Sequence, residues 1–382
     1  MLPEASKCSG CGSCAAVCPQ NCITMTADAE GFRYPVIDEA SCIRCGACER
    51  VCPVENHPDL SGHTTALAAQ NTNESLRRDS SSGGVFSALA ELILVRGGWV
   101  CAAVYDDRFG VCHELTNSPE RLAAMRGAKY TQSCAEHCFP KIRELLTQDV
   151  PVLFVGTPCQ CAGLRSFLGQ MYPQLLLVDM ICHGVPAPKV WQRYLLERQK
   201  TDASNEKLLA VNLRSKSTGW SRYGYSVEFQ YSGGICRSTP QGQDPFMRGF
   251  VSNLYLRPSC ADCAGKGVQR CSDLTLGDYW GIWDQHPEFD DDRGTSLLLI
   301  HSPKGQLAWE QISGSFRICS VTCEDALAQN PSALQSSPPH PNRERFFEQL
   351  DRQPSIIHWI QTCLAPRQES LLRRLLGRLR QK

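Results

Sequence analysis

No stretch of this 382-residue sequence reaches the roughly 18 uninterrupted apolar residues that a membrane span requires. The N-terminus, MLPEASKCSG, lacks the positively charged start and apolar run of a secretory signal. Net charge is missing as well: 39 basic side chains balance 39 acidic ones, so nothing electrostatic suggests a nucleic-acid partner. These absences predict a cytoplasmic protein with reduced thiols. Against them stands one excess. Cysteine occurs 23 times, in a chain too long for the small disulfide scaffolds that usually explain such richness. Metal binding, catalysis and burial are the uses left for reduced thiols.

The first 53 residues hold the same phrase twice, CSGCGSCAAVCP and CIRCGACERVCP. Each reads C-x2-C-x2-C-x3-C-P, the bacterial ferredoxin pattern, in which three close thiolates wrap one cubane and the fourth reaches the other. The spacing therefore assigns Cys8, Cys11, Cys14 and Cys52 to one 4Fe-4S centre, and Cys42, Cys45, Cys48 and Cys18 to its neighbour. Small residues such as Gly10, Gly12, Gly46 and Ala47 suit backbone that passes close to sulfur. Pro19 and Pro53 stop each short helix. Zinc is the alternative occupant of C-x2-C pairs, but two complete four-cysteine runs favour iron and sulfide. Cys22 falls outside both sets and reads as a packing residue.

A polar, turn-rich stretch follows Pro53, and the boundary falls near residue 60. We expect a ferredoxin-type domain over 1–58, a large domain over 62–345 and a helical tail over 346–382. TALAAQ opens the large domain as a strand. After it, VFSALAELILVR, CFPKIRELLT, CAGLRSFLG and KVWQRYLLER have helical periodicity, whereas WVCAAVY, VLFVG and LLLVDM read as buried strands. Alternation of this kind predicts an α/β domain with a largely parallel sheet, whose ligands gather at the carboxyl ends of strands. GTPCQCAG and ICHGVP both occupy such positions. Between residues 206 and 240 the pattern changes to an antiparallel insertion with Gly-rich turns, and DLTLGDYWG and SLLLIHS read as further strands.

The phrases SSGGVFSALAELIL, RGAKYTQS, VLFVGTPCQCAGL, VDMICHGVPAPKVW, RPSCADC, SDLTLGDYWG and GTSLLLI stand in one order over about residues 62 to 310. In that order they resemble the coenzyme F420 hydrogenase/dehydrogenase beta-subunit family. The resemblance implies an iron-sulfur flavoprotein; with the ferredoxin repeats ahead of it, the chain reads as α+β/α/β, a small two-cluster ferredoxin-like module fused to a large α/β flavin-binding domain with antiparallel insertions. It also implies FAD, and coenzyme F420 or another small organic molecule as substrate.

On that resemblance, Ser81, Ser82, Gly83 and Gly84 open a helix where a flavin diphosphate would sit, since exposed N–H groups and the helix dipole favour an anion. A plain helix cap by Ser82 is the alternative. Lys129 is a phosphate or flavin-ring contact or a solvated surface lysine, and Tyr130, Gln132 and Ser133 add ring or phosphate hydrogen bonds. Cys159, Cys182, Cys260 and Cys263 match positions in the family's phrases and supply the four thiolates of a third 4Fe-4S centre. Cys161 and Cys271 are rival ligands, each with burial as its alternative. His183 serves either as a proton donor or as a brace for the cluster loop. Asp278 meets a flavin edge or braces a turn, and Trp280 stacks or packs.

Electrons would arrive from a ferredoxin or another redox protein or subunit, pass through the clusters and load FAD, or run in reverse. The alternative is an electron-transfer subunit whose partner performs the substrate chemistry. In SLLRRLLGRLRQK, leucines share one helical face and basic residues lie mostly elsewhere. Such a helix suits a membrane surface, a partner protein or the chain's own large domain.

Overall fold

The computed structural model describes residues 2–60, 62–204 and 206–366. Near the N-terminus, β1 (Ile23–Ala27) and β2 (Arg33–Ile37) form an antiparallel hairpin. Its turn is closed by Asp28, whose Oδ1 accepts the N–H groups of Glu30 and Phe32, both at 2.9 Å. The cysteine repeats lie on either side of this hairpin.

Downstream come β3 (Thr65–Asn71), β4 (Trp99–Tyr105), β5 (Val111–Thr116), β6 (Ser133–Cys134), β7 (Val152–Gly156) and β8 (Leu175–Met180). A separate three-stranded antiparallel sheet is made by β9 (Leu208–Ser215), β10 (Ser226–Tyr231) and β11 (Cys236–Pro240). Finally β12 (Leu274–Asp278), β13 (Ser296–Ile300) and β14 (Phe316–Val321) return to the main sheet, whose order is β14-β3-β13-β12-β8-β7-β4-β5-β6.

The main sheet is less parallel than its sequence pattern predicts. The pairings β12/β8, β8/β7, β7/β4 and β5/β6 are parallel, while β14/β3, β3/β13, β13/β12 and β4/β5 are antiparallel. Connection length explains the β4/β5 pair. The turn between them is a few residues held by Asp106 Oδ1, which accepts the N–H groups of Arg108 and Gly110 at 2.8 Å. A parallel return needs a crossover of a dozen or more residues.

The parallel block β12-β8-β7-β4 positions the site, because parallel neighbours end on the same edge of a sheet. Cys159 just beyond β7, Cys182 just beyond β8, and Asp278 at the end of β12 are thereby delivered to one edge. Both faces of the sheet are covered. Helices Val85–Val95 and Pro303–Ile312 pack on one side, and Phe139–Thr147 and Pro158–Leu168 on the other.

A further core joins helices Pro188–Ala203, Pro245–Val251 and Ile356–Leu364 to the small sheet, with Trp191, Phe229, Phe246 and Trp359 inside it. Phe32 of the N-terminal hairpin is fully buried in this same core. The ferredoxin-type segment is therefore docked into the large domain. The leucine- and arginine-rich stretch Leu371–Lys382 lies outside the described residues. Among the described residues, no helix is long and apolar enough to cross a membrane.

Candidate redox centre

Cys8, Cys11, Cys14 and Cys52 are all buried and line one small pocket. Burial pushes the Cys11, Cys14 and Cys52 thiols up, and their mutual proximity pushes them further. Cation binding reverses this, since a coordinated thiol is deprotonated outright. Glycine permits the approach of the neighbouring loop: Gly10 has φ 72°, and a Cβ there would lie 2.7 Å from Gln132 Nε2 and 2.9 Å from Arg257 Nη1.

In the second set, Cys18, Cys42 and Cys48 pack into one small cluster, while Cys45 is exposed. Cys22 is buried and places its sulfur 3.4 Å from that of Cys18. That contact is the main reason its pKa is pushed up to about 12, with burial and nearby Cys42 adding to it. Cys22 thus packs where sequence reading put it, in contact with a ligand candidate.

The third set is assembled from three separate stretches. Burial pushes Cys159 well up, and Cys263, Cys182 and Cys260 each push it further. Cys182 is raised to about 12 by burial and Cys260, against which Lys266 acts. Thr157 caps the helix Pro158–Leu168 in a capping box with Gln160, whose Oε1 accepts the Thr157 N–H at 3.0 Å. Cys159 therefore stands in the first turn, where the helix dipole favours a thiolate. Its sulfur lies 3.1 Å from Thr157 Oγ1. The N–H of Val185 donates to Cys260 Sγ at 3.4 Å, and the N–H of Cys263 donates to Ser336 Oγ at 2.9 Å. Lys266 Nζ ties the Cys182 carbonyl to that of Ser332, at 2.5 and 2.6 Å.

Cys161 points elsewhere. It is fully buried, donates to the Val178 carbonyl at 3.4 Å and shares the core under the sheet with Cys271. Among the described residues, no three His, Cys, Asp or Glu side chains converge to hold a single metal ion. Cys159, Cys182, Cys260 and Cys263 are near enough for their charges to act on one another.

Beside the third set lies a buried polar group. Arg214, at the end of β9, donates from Nη1 to Asp278 Oδ2 at 2.7 Å and to Tyr130 Oη at 3.4 Å. Its guanidinium stacks 4.1 Å from the Tyr225 ring and 4.9 Å from Trp280. Burial works against the Arg214 charge, but Asp278, Tyr130 and Tyr225 outweigh it and hold the group protonated. Arg214 Nε and Nη2 and Asp278 Oδ1 are buried without partners. Such orphaned atoms each cost about 1–3 kcal/mol unless a ligand meets them. Tyr130 also feels the Cys182 thiol, so this polar group and the third thiol set are neighbours. Sequence reading missed Arg214 and Lys216 because NLRSK resembles an exposed strand end.

The remaining candidates divide. Ser82 Oγ donates to the Thr295 carbonyl at 2.8 Å, and the Gly83 N–H donates to Ser296 Oγ at 2.9 Å. The Ser81 carbonyl accepts from Trp220 Nε1 at 3.1 Å, and Gly84, at φ 92°, starts the helix Val85–Val95 without a side-chain cap. Lys216 Nζ donates to the Ser82 carbonyl at 2.6 Å, and burial lowers its pKa to about 7. Lys129 is half-buried. Burial lowers it to about 7, and its Nζ donates to the Arg126 carbonyl at 2.9 Å. Gln132 faces the ferredoxin-type segment, accepting the Arg33 N–H at 2.9 Å. Ser133 Oγ meets His113 Nδ1 at 2.7 Å. His183 has both ring nitrogens engaged, by Asn253 at 2.7 Å and Ser332 at 3.2 Å.

Two cysteine repeats docked against a mixed α/β sheet define an iron-sulfur protein of oxidoreductase type. More particularly, the chain belongs to the coenzyme F420 hydrogenase/dehydrogenase beta-subunit family, matching its N-terminal part over residues 66–136 and its C-terminal part over 150–324. Residues 7–56 match a 4Fe-4S dicluster domain. No curated protein matches the chain. A solved structure of the F420-reducing NiFe hydrogenase complex from Methanosarcina barkeri contains a chain 14% identical to this one. The alignment covers 76% of this chain and 93% of that one, with a TM-score of 0.46.

Proposed function

We propose that the chain is a flavin-dependent iron-sulfur oxidoreductase. It moves electrons between ferredoxin-type clusters and FAD, and between FAD and a small organic substrate or coenzyme F420. Cys159, Cys182, Cys260 and Cys263 hold a third 4Fe-4S centre in this reading. The observation that carries it is the juxtaposition of these four thiols with Tyr130, Arg214 and Asp278; the partnerless buried atoms of Arg214 and Asp278 fit a polar cofactor edge. Bound FAD supplies the conversion between one-electron and two-electron chemistry.

The chain's own residues do the rest. Arg214 offers two unused donors to an acceptor on the cofactor, with its charge fixed by Asp278. Tyr225 and Trp280 wall the guanidinium and exclude water. Lys216 holds the Ser82 carbonyl, which shapes the loop that opens the helix at Val85. His183, bound at both nitrogens, takes the bracing role for the Cys182 loop. Exposure orders the cysteine sets: Cys45 faces solvent, whereas Cys8, Cys11, Cys14 and Cys52 are buried. An external donor therefore meets the Cys42 set first.

Anaerobic purification with metal and flavin quantitation tests this. About 12 irons and one FAD per chain are expected, as three cubanes require. A colourless zinc protein would overturn the whole reading, and about eight irons would remove the third centre. The dithionite-reduced chain, mixed with coenzyme F420 or other organic acceptors, should be reoxidised without a partner. Failure with every acceptor favours the electron-transfer subunit.

A further inference from the structure

Arg257 is 2% exposed, and it lies between two of the thiol sets. On one side its Nε donates to the Cys8 carbonyl at 2.8 Å and its Nη2 to the Arg33 carbonyl at 3.0 Å. On the other side its own carbonyl accepts the Cys260 N–H at 3.0 Å. The guanidinium rests 4.1 Å from the Tyr34 ring centre. Nη1 is buried with no partner and is aimed at the loop carrying Gly10, between Cys8 and Cys11.

Its charge also has no ion-paired carboxylate among the described residues. Nearby acids are otherwise engaged: Glu136 pairs with Arg33, Glu30 with Arg343, and Asp28 accepts the N–H groups of its own turn. Among the described residues, no carboxylate forms an ion pair with Arg257. A buried cation without an ion-pair partner is disfavoured unless a counter-charge meets it. A cubane with four thiolate ligands is a net anion, and each added electron makes it more negative. Charge and hydrogen bonding around the sulfurs are the levers by which a protein sets cluster potential.

We propose that Arg257 is a potential-setting residue: its unpaired guanidinium raises the reduction potentials of the Cys8-Cys11-Cys14-Cys52 centre and the Cys159-Cys182-Cys260-Cys263 centre. The exposed Cys18-Cys42-Cys45-Cys48 centre does not share this cation. One electron arriving there is thereby drawn inward, one centre at a time. The inference about the second of these centres rests on the function proposed above; the inference about the first rests on the ferredoxin-type repeat alone.

Anaerobic redox titration of the full-length holoprotein, followed by electron paramagnetic resonance, provides the test for Arg257→Gln and Arg257→Lys. In Arg257→Gln, one-electron reduction of both flanking centres should become at least tenfold less favourable, a shift of about 59 mV to more negative potential. The exposed centre should be unmoved, and Arg257→Lys should restore most of the difference. Unchanged potentials with full iron content would overturn the proposal, as would an equal shift of all three centres. Loss of the inner iron in both variants would also overturn it, by making the role structural. If the wild type holds only about eight irons, the function proposed above fails at its third centre. The shift at the Cys8 centre then still decides the role of Arg257.

Discussion

Ser13 Oγ donates a hydrogen bond to the Gly163 carbonyl at 2.8 Å, fastening the first cysteine repeat to the helix that begins at Pro158 beside Cys159. A Cβ on Gly163 would stand 2.8 Å from Cys11 Cβ and 3.1 Å from Cys11 Sγ. Overpacking of this kind costs about 1–3 kcal/mol, whereas removing a helical glycine recovers only about 1 kcal/mol. Gly163→Val, bulkier than alanine, should therefore lower the denaturant midpoint and reduce the iron bound by the first set. Unfolding curves and iron per chain measure both.

Cys159 and Cys161 should separate cleanly. Cys159→Ala is expected to lose about four of 12 irons, the content of one cubane. Cys161→Ala should keep full iron and cost about 1 kcal/mol for the small cavity it leaves in a fully buried site. Iron loss in the second variant and not the first would show that the ligand is Cys161.

Arg214→Met should abolish flavin retention and destabilise the chain. It leaves Asp278 buried without its cation, and breaking such a pair costs about 3–5 kcal/mol. Arg214→Lys keeps the charge but loses the planar fork, so it should recover stability more than flavin. Flavin per chain and the thermal midpoint distinguish the two effects.

Acid should weaken the fold through His113. Burial lowers its pKa to about 4, despite the bond to the Val155 carbonyl at 3.0 Å. Between pH 6.5 and 4 the unfolded chain binds the proton and the folded chain does not, so stability falls as pH falls through that window. The contribution at full extent is about 3 kcal/mol. His113→Gln should flatten this part of the dependence, read as denaturant midpoints at pH 7 and pH 5.5. An unchanged slope would assign it to other groups.

Much of the sheet was legible because its strands are short apolar runs buried on both faces. WVCAAVY, VLFVG and LLLVDM begin and end at the residues where β4, β7 and β8 do. β5 and β14 were not anticipated. VCHELT includes a histidine and a glutamate, of which His113 is buried only because Ser133 and Val155 satisfy its two nitrogens. FRICSV is an edge strand that pairs on one side with β3, and it leaves Arg317 and Ile318 exposed. Local pattern records burial on a sheet face, not bonds made by residues far along the chain.

The sequence by itself set out the two N-terminal cysteine repeats, since a fixed short spacing keeps three thiols of each set on one loop whatever the rest of the chain does. It also determined the family, through the order of its phrases. Only the tertiary structure decided which thiols and charges become neighbours across long separations. Parallel pairing of β7, β8 and β12 brings Cys159, Cys182 and Asp278 to one edge. The packing of β9 against Trp280 buries Arg214, and the docking of Phe32 puts Arg257 against Cys8. Those contacts depend on burying apolar surface between distant segments, and no local spacing encodes them.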